Sequence, residues 1–274
     1  MRIITRFFYF VSLLLIVSCA SNPYIVSNKK YKKQAKTFAN TLKAQPVNNF
    51  TADSLKQPKY WVGTTNFGMR KPSYVILHHT AQNSCEQTLK TFTLERTEVS
   101  SHYVICKDGT VHHMLNDYLR AWHAGNSKWG NAVDINSSSI GIEIDNNGKD
   151  SFSLAQINSL EGLLAGLKKE FNIPAANFIG HLDIAPGRKV DPNPTFPWKT
   201  LADKGFGLWY DDTTNLIMPA DFNSELALRI IGYNIEKIES ARQSFRLHFL
   251  ASEKKGDFDP EELKVLYAVM KKYL

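Results

Sequence analysis

The chain has 274 residues, of which 43% are hydrophobic and 22% are charged. This composition is typical of a globular protein with one large domain or a medium domain and a smaller companion, and it excludes wholesale disorder and a polytopic membrane protein. The net charge of +7 arises at the front, because residues 1–63 hold ten Lys or Arg and one acid, whereas residues 64–274 hold 23 basic and 25 acidic side chains. The body therefore lacks the positive excess of a nucleic-acid-binding protein, and we expect no nucleic-acid partner.

The first 18 residues have the pattern of an export signal. Arg2 and Arg6 precede the apolar run FFYFVSLLLIV of residues 7–17, which is shorter than the roughly 20 residues that a spanning helix needs. Cys19 closes the quartet IVSC, which resembles a bacterial lipobox, in which the cysteine becomes the lipidated first residue of the mature chain. The alternative interpretation is a plain signal peptide with an incidental cysteine.

A lipidated Cys19 would carry several acyl chains and anchor the chain stably in a membrane. In bacterial lipoproteins generally, Asp after the cysteine favours retention at the inner membrane, and Ala20 stands here instead. We therefore expect the chain on the periplasmic side of the outer membrane of a Gram-negative bacterium. Residues 19–60 are rich in lysine and predict a basic tether with one short helix near Lys32–Lys43. This charge either holds the tether against an anionic surface or forms a solvated spacer.

From Ser73 onward, short apolar runs alternate with longer amphipathic segments, which predicts an α/β fold with a central mixed β-sheet flanked by helices. The predicted strands are Tyr74–His78, His102–Cys106, Val111–Met114, Ser139–Ile144 and Asn177–Gly180. Helices are predicted at Cys85–Leu94, Leu154–Phe171 and Trp198–Lys204 and, in a small C-terminal part, at Asn223–Ile231, Ile238–Phe249 and Pro260–Tyr273, with Asp259 as the N-cap of the last.

Two histidines follow predicted strands, and one aspartate lies in a stiff loop. His78 ends the first strand, and His181 directly follows the strand that ends at Gly180. Asp191 lies in the segment IAPGRKVDP, which its two prolines and glycine would stiffen. Two imidazoles and one carboxylate, with a fourth position left to water, form the ligand set of a catalytic zinc. The alternative interpretation of each histidine taken alone is a buried structural residue.

A carboxylate interrupts the apolar strand SIGIEI. Strand alternation places Ile140, Ile142 and Ile144 on one face and directs Glu143 to the other, beside the open space left by Gly141. A carboxylate on such a strand is either paired or has a raised pKa, and a raised pKa suits a general base. The alternative interpretation is an ordinary half-exposed strand acid.

Five segments together resemble a known family. They are VILHHTA (75–81), VSSHY (99–103), AWHAG (121–125), SIGIE (139–143) and GHLDIAPGRKVDP (180–192). In this order they resemble the motifs of the zinc-dependent N-acetylmuramoyl-L-alanine amidases of the amidase-2 family, of AmpD/AmiD type, a fold shared with peptidoglycan recognition proteins. The lipobox and the C-terminal helices favour the outer-membrane lipoprotein branch of this family.

The resemblance implies one zinc ion per chain, with His78, His181 and Asp191 as ligands. It also implies Glu143 as the acid/base residue, Lys189 beside the metal as a catalytic residue, and a substrate-binding role for His123 in the cleft. For His102, a supporting role near the metal and a purely structural role both stay open. We leave His79 out of the ligand set and expect His112, His113 and His248, which match no motif, on the surface.

The implied domains are a signal peptide (1–18), the lipidated Cys19 with its tether (19–60), a zinc amidase domain (61–215) and a helical domain (216–274). The last weakly resembles a peptidoglycan-binding module, and a packing appendage is the alternative. The implied reaction hydrolyses the amide between N-acetylmuramic acid, in intact or 1,6-anhydro form, and L-alanine, so the expected partners are peptidoglycan or muropeptides and a membrane. The competing functions are a non-catalytic peptidoglycan recognition lipoprotein and a structural envelope lipoprotein.

Cys85 and Cys106 are the two cysteines that remain after Cys19. Export permits a disulfide between them, which would close a loop of about 20 residues. Nothing in the sequence brings the two Cα atoms within disulfide range, and unpaired cysteine is among the most buried residue types. We therefore expect free, buried thiols.

Overall fold

The computed structural model describes residues 22–43, 60 and 63–274, which belong to two units, residues 1–63 and 64–274. The predicted signal peptide and Cys19 lie outside the described residues. In the first unit, helix α1 (Ile25–Lys43) begins earlier than expected, because Asn22 Oδ1 accepts the Tyr24 N–H and no glycine or proline interrupts the chain afterwards. None of its residues is buried. Across the described residues, no helix has the length and hydropathy needed to cross a bilayer.

The second unit is built on a mixed sheet of five strands, as predicted. The strands are β1 (Tyr74–His79), β2 (Tyr103–Ile105), β3 (Val111–His113), β4 (Ser139–Ile144) and β5 (Phe178–Gly180). Their order across the sheet is β3-β2-β4-β1-β5. Strand β1 pairs in parallel with β4 and β5, β2 pairs in parallel with β4, and β2 pairs antiparallel with β3. The carboxyl ends of β1, β4 and β5 therefore meet at one edge of the sheet.

Helices cover both faces of the sheet. They are α2 (Cys85–Phe92), α3 (Ile135–Ser138), α4 (Leu154–Phe171), α5 (His181–Ile184), α6 (Trp198–Asp203), α7 (Ser224–Ile231), α8 (Ile238–Phe249) and α9 (Pro260–Met270). Ser153 and Gln156 form a capping box that starts α4, and Asp259 caps α9 as expected by accepting the N–H groups of Glu261 and Glu262. The short helices α3 and α5 were not predicted.

The two faces of β1 pack into two different clusters. Val75 and Leu77 pack with the isoleucines of β4 and with the buried face of α4. Ile76, on the other face, packs with β5 and with α7, α8 and α9. The C-terminal helices therefore share a core with the sheet. His78 follows the alternation of Ile76, and Glu143 lies opposite the β4 isoleucines, so both face the side that the C-terminal helices cover.

Two expectations about buried residues were wrong. Cys85 and Cys106 form a disulfide with a Cα–Cα distance of 5.3 Å, because α2 begins beside the end of β2, a proximity that their separation of 21 residues does not reveal. His248 is only 5% exposed rather than at the surface, because the second half of α8 is buried on all sides.

Candidate metal and catalytic site

The strand register explains why His78 and His181 lie together. Leu77 of β1 pairs with Gly180 of β5. The residues that follow this pair in the chain, His78 and His181, therefore extend from the same edge of the sheet. Both side chains are buried, at 1% and 3% exposure. Their Nδ1 atoms lie 2.9 Å apart. The carboxyl ends of two paired parallel strands thus supply two imidazoles to one site.

Asp191 completes this group from the loop after α5. Its backbone carbonyl accepts the N–H of Leu182 at 2.8 Å, which ties the loop to the helix that begins with His181. Its Oδ2 atom lies 3.1 Å from Nδ1 of His78 and 3.0 Å from Nδ1 of His181. The three residues predicted as ligands therefore converge on one point.

The contacts of each ring favour one tautomer. Nε2 of His181 lies 3.2 Å from the carbonyl oxygen of Ala124 and 3.4 Å from Nη2 of Arg188. The carbonyl oxygen can only accept, so the tautomer with the proton on Nε2 satisfies this shorter contact and leaves the lone pair on Nδ1. Arg188 donates to the same carbonyl oxygen at 2.6 Å. The lone pair of His181 Nδ1 thus faces Asp191.

His78 obtains its tautomer through a chain of three hydrogen bonds. The Ser139 hydroxyl donates to the carbonyl oxygen of Ile135 at 2.6 Å, so its oxygen accepts from Nε2 of His123 at 3.2 Å. His123 Nδ1 is then the acceptor for the Nε2 proton of His78, at 3.1 Å. Burial and the charge of neighbouring histidines hold the pKa of His123 well below its ordinary value, which keeps this ring neutral. Nδ1 of His78 is therefore also unprotonated.

The resulting donor set fits a divalent cation. Nδ1 of His78, Nδ1 of His181 and Oδ2 of Asp191 lie within 3.1 Å of one another, and with both rings in the Nε2–H tautomer their lone pairs converge where a cation would bind. Burial, followed by the charge of His181, lowers the pKa of His78 to about 4, so this ring is a neutral donor near neutral pH. Burial raises the pKa of Asp191, but its close contacts with His181 and His78 outweigh burial and hold that pKa below the ordinary range. Tetrahedral zinc with ligand distances of about 2.0–2.1 Å needs donors spaced only slightly wider than these.

Glu143 lies beside this donor set. It pairs with His78 across β1 and β4, and its Oε2 atom is buried and has no hydrogen-bond partner among the described residues. Burial and the charge of Asp191 raise the pKa of Glu143 to about 8, against the opposing charge of Lys189. An unpartnered carboxylate oxygen with a pKa near neutrality is suited to proton transfer.

The space beside Gly141 is filled rather than open. A Cβ atom at this position would lie 2.5 Å from Cγ of His123, so the glycine is what admits that ring. His123 is 8% exposed, and its Nδ1 atom contacts Nε2 of His78, the ring nitrogen that faces away from Asp191. Its contact with substrate stays a prediction, since the ring faces His78 and Ser139 here.

Two other histidines of the motifs lie outside the donor set. Nδ1 of His79 accepts the N–H of Asn193 at 3.0 Å. Nδ1 of His102 accepts the N–H of Gly141 at 3.0 Å, and its Nε2 contacts the carbonyl oxygen of Leu119. His102 thus binds the backbone of β4 at Gly141, where the His123 ring packs. This contact favours a supporting role near the metal site over a purely structural one.

Sequence reasoning missed the polar residues that hold the site. Oδ1 of Asn136 accepts the N–H groups of His123 and Ala124, at 3.0 and 2.9 Å, and so shapes the segment behind both histidines. Arg188 donates to the carbonyl oxygens of Ala124 and Asn126. Ser139 was predicted only as the first residue of a strand. Each of them acts on a residue distant in sequence, so no local pattern indicates the role.

The chain is similar to known N-acetylmuramoyl-L-alanine amidases. Residues 68–194 match the Amidase_2 family, described as N-acetylmuramoyl-L-alanine amidase. N-acetylmuramoyl-L-alanine amidase AmiD of Escherichia coli is 29% identical, with 98% of each chain aligned. The 1,6-anhydro-N-acetylmuramyl-L-alanine amidase AmpD of the same species is 38% identical over 36% of this chain and 55% of its own length.

Two solved structures extend the likeness to most of the chain. AmpDh3 of Pseudomonas aeruginosa superposes with a TM-score of 0.67 at 30% identity, over 80% of this chain and 98% of that one. Escherichia coli AmiD, in complex with the substrate anhydro-N-acetylmuramic acid-L-Ala-D-gamma-Glu-L-Lys, gives a TM-score of 0.66 at 27% identity, over 82% of this chain and 96% of that one. Because the coverage exceeds the residues matched by the family, the likeness includes segments on either side of the motifs.

Proposed function

The chain belongs to the amidase-2 family of N-acetylmuramoyl-L-alanine amidases, of AmpD/AmiD type, and on this premise we propose that it is a zinc-dependent amidase of cell-wall turnover. The bond cleaved is the amide between the lactyl carbonyl of N-acetylmuramic acid and the nitrogen of L-alanine. Water supplies the oxygen of the new carboxylate, and the released amine takes up a proton. The observation that carries this proposal is the convergence of three metal-ligating atoms beside the unpartnered oxygen of Glu143.

His78, His181 and Asp191 would hold one zinc ion. When bound, zinc would polarise the scissile carbonyl and make an attacking water more acidic. The donor atoms come from one edge of the sheet and one tied loop, so they need little rearrangement to bind it.

Glu143 would move the proton. Its Oε2 atom accepts a proton from the attacking water and passes it to the leaving nitrogen as the C–N bond breaks. A bound cation favours the charged carboxylate and so lowers the pKa of Glu143 from about 8 toward neutrality. With a pKa near neutrality, this side chain can both accept and donate a proton. The charge of Lys189, which already acts on Glu143, would stabilise the negative oxygen that develops on the carbonyl.

We propose muropeptides with N-acetylmuramic acid in its 1,6-anhydro form as one substrate class. The support is the similarity to AmiD, whose complex contains an anhydro-muramyl tripeptide, and to AmpDh3, whose complex contains an anhydromuramic pentapeptide. Intact peptidoglycan is the second class to compare.

We further propose a lipid anchor on Cys19 and a location on the periplasmic side of the outer membrane. The support is the quartet IVSC after a short apolar run and the Ala20 that follows it. The apolar run alone is too short to anchor the chain as a spanning helix.

The test is a digestion of purified sacculi and anhydro-muropeptides by the purified chain, with mass spectrometry of the products. We expect release of peptides with a free L-alanine amino group, loss of release after chelation, and recovery with added zinc. Glu143→Gln is the matched variant, because it preserves size and should bind zinc while turnover falls by about 10²- to 10⁴-fold. Zinc binding together with intact substrates would instead support a recognition protein, and full activity without metal would overturn the zinc assignment.

A further inference from the structure

The helix that begins with His181 is held by a buried carboxylate. Asp183 is 0% exposed, and its Oδ2 accepts the N–H of Gly180 at 2.7 Å, which closes the first turn of α5. The residue before Asp183, Leu182, donates its N–H to the carbonyl oxygen of Asp191. This single turn therefore sets the position of two of the three donor residues.

Two residues of the C-terminal part complete the hydrogen bonds of that carboxylate. The Tyr233 hydroxyl donates to Oδ1 of Asp183 at 2.7 Å, and Nδ1 of His248 donates to Oδ2 at 2.8 Å. Tyr233 is 3% exposed, and burial and the charge of Asp183 raise its pKa well above the ordinary value, so it keeps its proton. Neither residue belongs to the motifs that define the catalytic segment.

The ring of His248 is fixed by its neighbours. It stacks on Trp198, with ring centroids 3.9 Å apart, and on Phe249 at 4.2 Å. The hydrogen bond to Asp183 therefore comes from a ring that cannot turn away. If α8 served only to pack against the sheet, two polar side chains directed at one buried carboxylate would not be needed. Burying each of these polar groups costs desolvation free energy.

We propose that Tyr233 and His248 are positioning residues of the metal site, which hold α5 through Asp183 so that His181 faces the zinc. The inference rests on the proposed zinc function and deepens it. It gives the C-terminal helices a role in metal binding that is separate from any contact with cell wall. Neither residue touches a donor atom, so their effect passes through Asp183.

The test measures zinc affinity by chelator competition on the full chain. We expect Tyr233→Phe and His248→Leu each to lower zinc affinity about 10-fold, at the lower end of the range for residues that orient metal ligands. His248→Asn should recover most of this affinity, because its side-chain amide can donate from the position of Nδ1. Leu266→Ala is the control, since it opens a cavity in the apolar cluster without removing a hydrogen bond to Asp183, and it should lower the thermal midpoint while zinc affinity stays within twofold.

Equal zinc affinity in wild type, Tyr233→Phe and His248→Leu would overturn the inference, as would a loss in Leu266→Ala as large as theirs. Tyr233→Phe removes one oxygen atom, so it decides the matter if His248→Leu does not fold. A wild-type chain that binds no zinc would overturn the proposed function and this inference with it. Tight wild-type binding with unaffected variants would overturn the inference alone.

Discussion

His78 Nε2 lies 3.1 Å from His123 Nδ1, so one buried imidazole orients another. Histidine ligands usually donate their second N–H to a carboxylate, a carbonyl or water. Here the acceptor is a second histidine, whose own proton goes to Ser139. The tautomer of a proposed metal ligand is therefore set by residues two hydrogen bonds away.

This chain of bonds predicts that His123→Leu lowers zinc affinity by about 10- to 100-fold, because His78 loses the acceptor for its Nε2 proton. His123→Asn is the matched variant, since its amide oxygen can accept from the position of Nδ1. Chelator competition on both variants measures the effect. Zinc affinity of His123→Leu equal to that of the wild type would show that His78 needs no partner.

Gly141→Ala should act on the same bond from the other side. A Cβ atom would overlap the His123 ring at 2.5 Å, so the ring must move away from His78. We expect a loss of zinc affinity comparable to that of His123→Leu, measured by the same competition. A Gly141→Ala protein that binds zinc normally would mean that the ring has room to shift.

The metal-free chain should show a pH dependence that originates at Glu143. Its pKa is about 8 in the folded chain, against an ordinary value of 4.5. Between these values the folded state retains a proton that the unfolded state has released, so stability falls as pH rises through this window. Glu143→Gln cannot ionise and should not lose this stability.

We expect the thermal midpoints of metal-free wild type and Glu143→Gln to be similar near pH 4.5 and to separate by several degrees near pH 8.5, with the variant higher. Calorimetry with a chelator present measures both. A constant difference across this range would show that Glu143 titrates normally in the folded chain.

The disulfide should contribute to stability. Its loop of about 20 residues corresponds to roughly 3 kcal/mol in the chain-entropy model. We expect Cys85→Ser with Cys106→Ser, or reduction of the wild type, to lower the free energy of unfolding by about that amount in denaturant titrations. Thiol labelling of the unfolded, unreduced protein should leave both residues unmodified, and labelling of both would contradict the bond.

The lipid anchor predicts that Cys19→Ala is released from membranes in cell fractionation. The basic tether alone offers only weak, salt-sensitive attraction to a membrane. Membrane-bound Cys19→Ala that resists high salt would indicate an uncleaved N-terminal helix instead.

Local patterns in the sequence were sufficient for the regular elements. The bounds of β4 follow from strict alternation in SIGIEI, and those of α4 from its apolar periodicity. The three donor residues were found because each follows a strand or lies in a stiff loop, and the family order of the motifs supported them. Helix α5 was missed because it has four residues, too few for a period to appear.

Contacts between distant residues could not be predicted in this way. Cys85 and Cys106 meet because α2 packs beside β2, and His248 is buried because its ring stacks on Trp198 of α6. The support of His78 by His123 depends on the absence of a side chain at Gly141, which in the sequence indicated only free space. These relations depend on packing rather than on local propensity.

The apolar face that Ile76 and Ile179 share with α7, α8 and α9 limits where the chain can be divided. A gene fusion or deletion with its breakpoint near residue 216 would leave two products, each with a buried apolar surface newly exposed to water. The C-terminal helices and the sheet should therefore fold as one cooperative unit.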